Sequence, residues 1–265
     1  MKTARVAFGG AVHTAVPDAH GSEPAHGAPE RLRLDDGRSV DGAQVVWLAP
    51  FEVGSVIALG LNYADHVKEL ARELTVGRKD EPLVFFKSAG AVIGHRGATR
   101  RPREAKFMHY ECELAVVIGR TAQRVRRADA LAHVAGYTVC NDYAVRDYLE
   151  NWYRPNLRVK NRDTCTVIGP WLVDAQDVAD PQRLALRTRV NGRVTQQGNT
   201  GDMIHDVASL IEYLSEFMTL RCGDVILTGT PDGVVNVDVG DEVVTEIDGV
   251  GRLVNTIVGD ETFSR

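Results

Sequence analysis

His109-Tyr110-Glu111-Cys112-Glu113-Leu114-Ala115-Val116-Val117-Ile118-Gly119 decides how this chain is read. Everything after Glu113 is apolar and rich in β-branched residues, so the stretch as a whole predicts a strand. Side chains two apart on a strand share a face. Glu111 and Glu113 should therefore project together, with Cys112 on the opposite side. Two carboxylates on one face repel and raise each other's pKa unless something cationic lies between them. A divalent ion would do that, and an oxygen-only donor set favours a hard one. Asp142 follows the apolar run Gly136–Cys140 and is a natural third donor at a strand end. On spacing alone, Glu-x-Glu is more commonly the solvent face of an edge strand.

Outward from this strand, short apolar or alternating runs recur at Val56–Leu59, Leu83–Phe86, Ala135–Cys140, Leu184–Val190, Val225–Leu227, Glu242–Ile247 and Gly251–Ile257. Gly, Asp, Asn or Pro bounds most of them. Asn191-Gly192 joins two runs as a tight hairpin turn would. Helices are the minority. Tyr63–Leu74 carries Ala64, Val67, Leu70, Ala71 and Leu74 on one face, with Asn62 as a candidate cap. Val207–Met218 places Val207, Leu210, Ile211, Leu214 and Phe217 on one stripe behind Asp206. Residues 1–50 read as a small strand-rich N-terminal element, with Ala4–Phe8 and Val45–Leu48 as strands around a polar, proline-containing stretch. Residues 51–265 read as the catalytic domain. The expected class is α+β and strand-dominated, with few helices and without the βαβ alternation of a dinucleotide fold.

Composition narrows the partners. The chain has 265 residues, 31 Lys and Arg against 36 Asp and Glu, and a formal net charge of -5. A nucleic-acid binder would show a basic excess, so none is expected. No apolar run approaches the ~20 residues of a membrane span, and the N-terminal stretch lacks the apolar segment of a signal peptide. The four cysteines show neither a CxxC pair nor zinc-ligand spacing, which fits reduced thiols in a cytoplasmic protein.

Three further segments carry candidate chemistry. His66 and Glu69 are neighbours on the Tyr63–Leu74 helix at i, i+3. A histidine held by a carboxylate suits proton transfer near neutral pH, although an ordinary boundary histidine would look the same. Arg146–Arg162 holds Arg146, Arg154, Arg158, Lys160 and Arg162 in an otherwise acidic chain. It reads either as a site for several carboxylates or as a solvated loop. In Thr228-Gly229-Thr230-Pro231-Asp232-Gly233, hydroxyls and freed backbone N–H groups could cradle a carboxylate, or the segment is a plain turn.

Taken in order, Gly60-Leu61-Asn62-Tyr63-Ala64-Asp65-His66, Glu111-Cys112-Glu113, Asn141-Asp142-Tyr143-Ala144-Val145-Arg146-Asp147 and Thr228-Gly229-Thr230-Pro231 resemble the fumarylacetoacetate hydrolase family. The resemblance runs from about Val53 to the C-terminus. It implies a mixed β-roll or sandwich, a homodimer, and Mg²⁺ or Mn²⁺ held by Glu111, Glu113 and Asp142. It implies catalytic roles for His66, Glu69 and Lys160, and substrate contacts from Lys87, Arg146 and Thr230. Within the family, Asp142–Asp163, Tyr213–Leu220 and Gly249–Asn255 look like the isomerase/decarboxylase branch of homoprotocatechuate (4-hydroxyphenylacetate) breakdown. Members of that branch are often tandem duplications, and this chain resembles the metal-bearing half. The implied substrate is a polycarboxylate 2-oxo acid: 5-oxopent-3-ene-1,2,5-tricarboxylate, 5-carboxymethyl-2-hydroxymuconate or 2-hydroxyhepta-2,4-diene-1,7-dioate. Hydrolytic members often place Arg before the Asn-Tyr pair, where this chain has Leu61. An acylpyruvate or fumarylpyruvate C–C hydrolase and a non-catalytic metal-binding homologue are the alternative readings.

Overall fold

The computed structural model describes residues 1–18, 31–63, 81–149 and 156–260. Strands dominate, in a twelve-stranded sheet, a five-stranded sheet and a two-stranded ribbon. The centre of the large sheet is Cys112–Ile118, paired antiparallel with Val134–Asp142 on one side and Val225–Leu227 on the other. Beyond Val225–Leu227 lie Val56–Gly60, parallel to it, and Leu83–Lys87. Beyond Val134–Asp142 lies Thr166–Asp174. The sheet then curls. Leu83–Lys87 runs through the single turn Ala89–Ala91 into Val92–Gly94, which pairs parallel with Thr166–Asp174 on the far side. That connection makes the sheet a roll with an interior.

Alternation along Cys112–Ile118 sorts its side chains into two cores. Ala115 and Val117 face the roll interior with Val56, Ala58, Cys140, Ile168, Val225 and Leu227. Cys112, Leu114, Val116 and Ile118 face outward into the larger core. There they meet Leu186, Val243, Ile247, Leu253 and Ile257 of the five-stranded sheet, and Val207, Leu210, Ile211 and Leu214 of the helix Val207–Phe217. Full burial on both faces explains why the strand reads as a continuous apolar run rather than an alternating one. The N-terminal strands continue the same large sheet, because Lys2–Phe8 pairs with Thr166–Asp174 through Lys2↔Val173 and Thr3↔Leu172. They also enclose a cluster of their own around Val6, Leu32 and Trp47.

Several local expectations need correction. His109–Gly119 is not one strand. Met108–His109 pairs with Ala144–Val145 in the separate ribbon, Tyr110 and Glu111 form the break, and the long strand starts at Cys112. Phe217 is 63% exposed rather than on the buried stripe. It sits ~70° from the centre of that stripe at 100° per residue, and packs edge-on against Tyr213 instead. Asp206 does cap this helix, accepting the Ser209 N–H at 2.8 Å. The expected helix Tyr63–Leu74 lies, beyond Tyr63, outside the described residues. Its candidate cap Asn62 uses its amide elsewhere, as shown below. Asn191 and Gly192 both adopt left-handed backbone (φ 50° and 79°), the geometry of a two-residue hairpin turn. All four cysteines are free thiols. No helix among the described residues is long and apolar enough to cross a membrane.

Candidate active site

Register places the carboxylates. Cys112 faces Asn141 and Glu113 faces Cys140 across the central pair of strands. One step further the Asp142 N–H reaches the Glu111 carbonyl at 2.9 Å. The Asn141 side-chain oxygen accepts the Glu111 N–H at 3.1 Å and fixes the break in the strand. Glu111 and Glu113 thus project on the same side as Ala115 and Val117, and Asp142 on the same side as Cys140: the roll interior. Oxygens of Glu111, Glu113 and Asp142 lie within 4.8 Å of one another, and all three residues are buried.

Three cations converge on them from separate elements. Lys87, the last residue of Leu83–Lys87, donates to Asp142 Oδ1 and to the Lys160 carbonyl, the latter at 2.5 Å. Lys160 ends the short helix Leu157–Lys160 and donates to Glu111 Oε2 and, at 3.0 Å, to Asp142 Oδ2. Arg146, at the start of the turn after Ala144–Val145, donates to Glu111 Oε1 at 2.7 Å. Burial pulls the Lys160 ammonium down, but Asp142 and Glu111 outweigh it and hold it above the ordinary lysine value. Lys87 and Arg146, expected to contact substrate, and Lys160, expected to be catalytic, here donate to the carboxylates.

Glu113 is treated differently. Its Oε2 accepts the Gly229 N–H at 2.6 Å, and its fully buried Oε1 has no hydrogen-bond partner among the described residues. Burial first, then the Asp142 and Glu111 carboxylates, push its pKa well above the usual carboxylate range. The carboxylate cradled by the Thr228–Thr230 turn is therefore the protein's own. Gly229 is required there: its φ is +86°, and a Cβ would lie 3.0 Å from that of Asn62. Asn62 staples this turn to its neighbour, donating to the Thr228 carbonyl at 2.8 Å and the His205 carbonyl at 3.0 Å while accepting the His205 N–H at 2.8 Å.

Of the site residues read from sequence, Glu111, Glu113, Asp142, Lys87, Arg146 and Lys160 meet in one cluster. Thr230 lies one residue beyond the Gly229 contact. His66 and Glu69 lie outside the described residues. Sequence reasoning missed the Asn62 staple and the Asn141 support; the Gly229 N–H belongs to the turn read as a carboxylate cradle, although the carboxylate it meets is Glu113. The Gly60-Leu61-Asn62 and Thr228-Gly229-Thr230 runs were the only signal that these turns are special.

The donor chemistry fits a hard divalent cation. Three carboxylates converge, and one buried oxygen has no partner among the described residues, which is costly in a protein interior. These carboxylates, on neighbouring strands of a roll closed through Val92–Gly94, mark one class of protein. A family model for the fumarylacetoacetate (FAA) hydrolase C-terminal region matches residues 55–258, and the chain belongs to that family. The 4-hydroxyphenylacetate degradation bifunctional isomerase/decarboxylase of Salmonella dublin is 58% identical over 209 residues, covering 79% of this chain and 48% of that protein. The chain thus spans about half the length of the isomerase/decarboxylases it matches. The human mitochondrial oxaloacetate tautomerase FAHD2A is 40% identical over 225 residues, covering 82% of this chain and 70% of that one. Among solved structures, 5-carboxymethyl-2-hydroxymuconate delta-isomerase from Mycobacterium smegmatis superposes with a TM-score of 0.83 at 36% identity, covering 98% and 99% of the two chains.

Proposed function

We propose that this chain is a Mg²⁺- or Mn²⁺-dependent decarboxylase and isomerase of 4-hydroxyphenylacetate (homoprotocatechuate) breakdown. Its substrates would be 5-oxopent-3-ene-1,2,5-tricarboxylate and the related 5-carboxymethyl-2-hydroxymuconate or 2-hydroxyhepta-2,4-diene-1,7-dioate. The observation that carries this reading is the buried Glu111–Glu113–Asp142 set ringed by Lys87, Lys160 and Arg146. The 58% identity to a bifunctional isomerase/decarboxylase supports the substrate class.

Glu111, Glu113 and Asp142 would hold the ion, which when bound supplies Lewis-acid polarisation of the oxygens it touches. In decarboxylation the C–C bond to the departing carboxylate breaks, and its electron pair passes through the conjugated double bond to the 2-oxo oxygen. Lys160, Lys87 and Arg146 offset the negative charge that develops there. Arg146 presents a planar fork suited to a carboxylate, and the Thr230 hydroxyl hydrogen-bonds a second oxygen. His66, oriented by Glu69, moves the proton at the substrate carbon that closes the double-bond shift. The apolar roll interior of Ala115, Val117 and Leu227 keeps the site's dielectric low, which strengthens each of these interactions. Water exclusion separates this outcome from C–C hydrolysis at the same residues.

Mass-resolved turnover of 5-oxopent-3-ene-1,2,5-tricarboxylate with Mg²⁺, against an EDTA control, tests the proposal. Metal-dependent release of CO₂ is expected, followed by isomerisation on the same chain. Cleavage of an acylpyruvate without CO₂ release would move the chain to the hydrolases. Metal binding without turnover of any 2-oxo acid would make it a non-catalytic homologue.

A further inference from the structure

Gln196 lies on the strand Arg193–Asn199 of the five-stranded sheet, is 2% exposed, and reaches across to the turn beside the carboxylates. Its Nε2 donates to Thr230 Oγ1 at 2.8 Å and to the Pro231 carbonyl at 2.8 Å, while its Oε1 accepts the Thr188 hydroxyl at 3.1 Å. The Pro231 carbonyl can only accept, so the amide nitrogen must face it. Both amide hydrogens are then used, and Thr230 Oγ1 is fixed as an acceptor towards Gln196. The Thr230 hydroxyl hydrogen must point elsewhere, and no acceptor for it is found among the described residues, although Thr230 is only 3% exposed. The neighbouring donors are already committed: the Thr228 hydroxyl to the Leu114 carbonyl at 2.9 Å and the Gly229 N–H to Glu113 at 2.6 Å.

We propose that Gln196 is a positioning residue that fixes the polarity of a hydrogen-bond chain, Thr188 to Gln196 to Thr230, so that the Thr230 hydroxyl is committed to donate to an anionic oxygen of a 2-oxo acid. This rests on the placement of Thr230 in the substrate site under the proposed function. A donor whose direction is set before binding loses no orientational freedom when the ligand arrives, and each bond in an aligned chain strengthens the next. It would also select for an acceptor oxygen at that position.

Calorimetric binding of oxalate, which carries the adjacent oxygens of a 2-oxo acid, to the Mg²⁺-loaded full chain tests this without turnover. Thr230→Val should raise the oxalate Kd about tenfold, as expected for loss of a hydrogen bond to a charged group. Gln196→Met should raise it about fivefold, and the double variant should bind within about twofold of Thr230→Val alone, because Gln196 acts only through that hydroxyl. Thr230→Ser, which keeps the hydroxyl, should bind like the wild type. If Gln196→Met does not fold, the isosteric Gln196→Glu makes the same test: its Kd penalty must shrink in the Thr230→Val background. Additive penalties, or an unchanged Kd in Gln196→Met, overturn the role of Gln196 while leaving the proposed function standing. Failure of the wild-type chain to bind oxalate, or an unchanged Kd in Thr230→Val, overturns the placement of Thr230 and this proposal with it.

Discussion

Glu113→Gln should remove a slope from the pH dependence of stability, and the size of that slope follows from one proton. In the metal-free protein, burial and the neighbouring Asp142 and Glu111 carboxylates keep Glu113 protonated at pH values where a solvated glutamate, with its ordinary value of 4.5, has ionised. Above pH 4.5 the unfolded chain has released that proton and the folded chain still holds it. A group whose folded pKa is raised contributes stability that is fully present below its unfolded pKa and lost as pH rises through the folded one. With one extra proton in the native state, unfolding free energy falls by 2.303RT, about 1.4 kcal/mol per pH unit, across that window. At roughly 2–4 °C per kcal/mol for a chain of this size, the melting temperature should fall by about 3–5 °C per pH unit from this group alone.

The amide of Glu113→Gln can still accept the Gly229 N–H, so shape is kept while the titration is deleted. Melting curves in EDTA, taken between about pH 5 and about pH 8 for both proteins, should diverge, with the wild type the steeper. A fixed Mg²⁺ concentration, set at ~100 times the Kd at the acid end of that range, adds about 2.7 kcal/mol there. That gain should grow with pH in the wild type, because the ion displaces a proton, and stay flat in Glu113→Gln. Parallel slopes in EDTA would refute the reasoning: Glu113 would then ionise in the fold as it does in solvent.

Other outcomes follow from single contacts. Asn62→Ala removes three hydrogen bonds to Thr228 and His205, one of them buried and two part-buried, and should cost about 2–4 kcal/mol, read as a lower urea midpoint at unchanged m-value. Gly192→Ala should cost about 1 kcal/mol through backbone strain alone, since φ is +79° and no atom lies within 4 Å of the added methyl. A thiol reagent should label one cysteine of four in the native chain and all four in denaturant. Cys222 is exposed, while Cys112, Cys140 and Cys165 are buried and burial pushes their thiols up, Cys165 to about 11.

Sequence periodicity carries information along one element, and the site was legible to that extent. Period two put Glu111 and Glu113 on one side, and the end of an apolar run put Asp142 at a strand terminus. The helix Val207–Phe217 and its Asp206 cap were legible for the same reason. Pairing across elements was not. Nothing in the spacing of Leu83–Phe86 says that Lys87 meets Asp142, because that contact depends on the sheet curling until Val92–Gly94 joins Thr166–Asp174. Resemblance supplied Lys87 and Lys160 where periodicity could not. Thr166–Asp174 itself went unread because its Gly169-Pro170 pair looks like a turn. The break at Tyr110–Glu111 was hidden because the alternation of Tyr110, Cys112 and Leu114 with Glu111 and Glu113 continues across it.

The electrostatics of the roll interior follow from where each charge enters. Glu111 and Asp142 face each other across adjacent strands and would repel, but Lys160 bridges them, Lys87 takes the second oxygen of Asp142, and Arg146 takes that of Glu111. Glu113 stands one strand step deeper, beside Ala115 and Cys140, where none of these side chains donates to it. Among the described residues its only donor is the Gly229 N–H, and no described side chain supplies it a cation. That asymmetry assigns the work. Glu111 and Asp142 are compensated whether or not an ion is present, which lets the cluster fold without one. Under the proposed function, Glu113 would be the residue whose state an ion changes, exchanging a proton for a divalent charge. A site built this way should bind metal more tightly as pH rises, with Glu113 as the origin of that dependence.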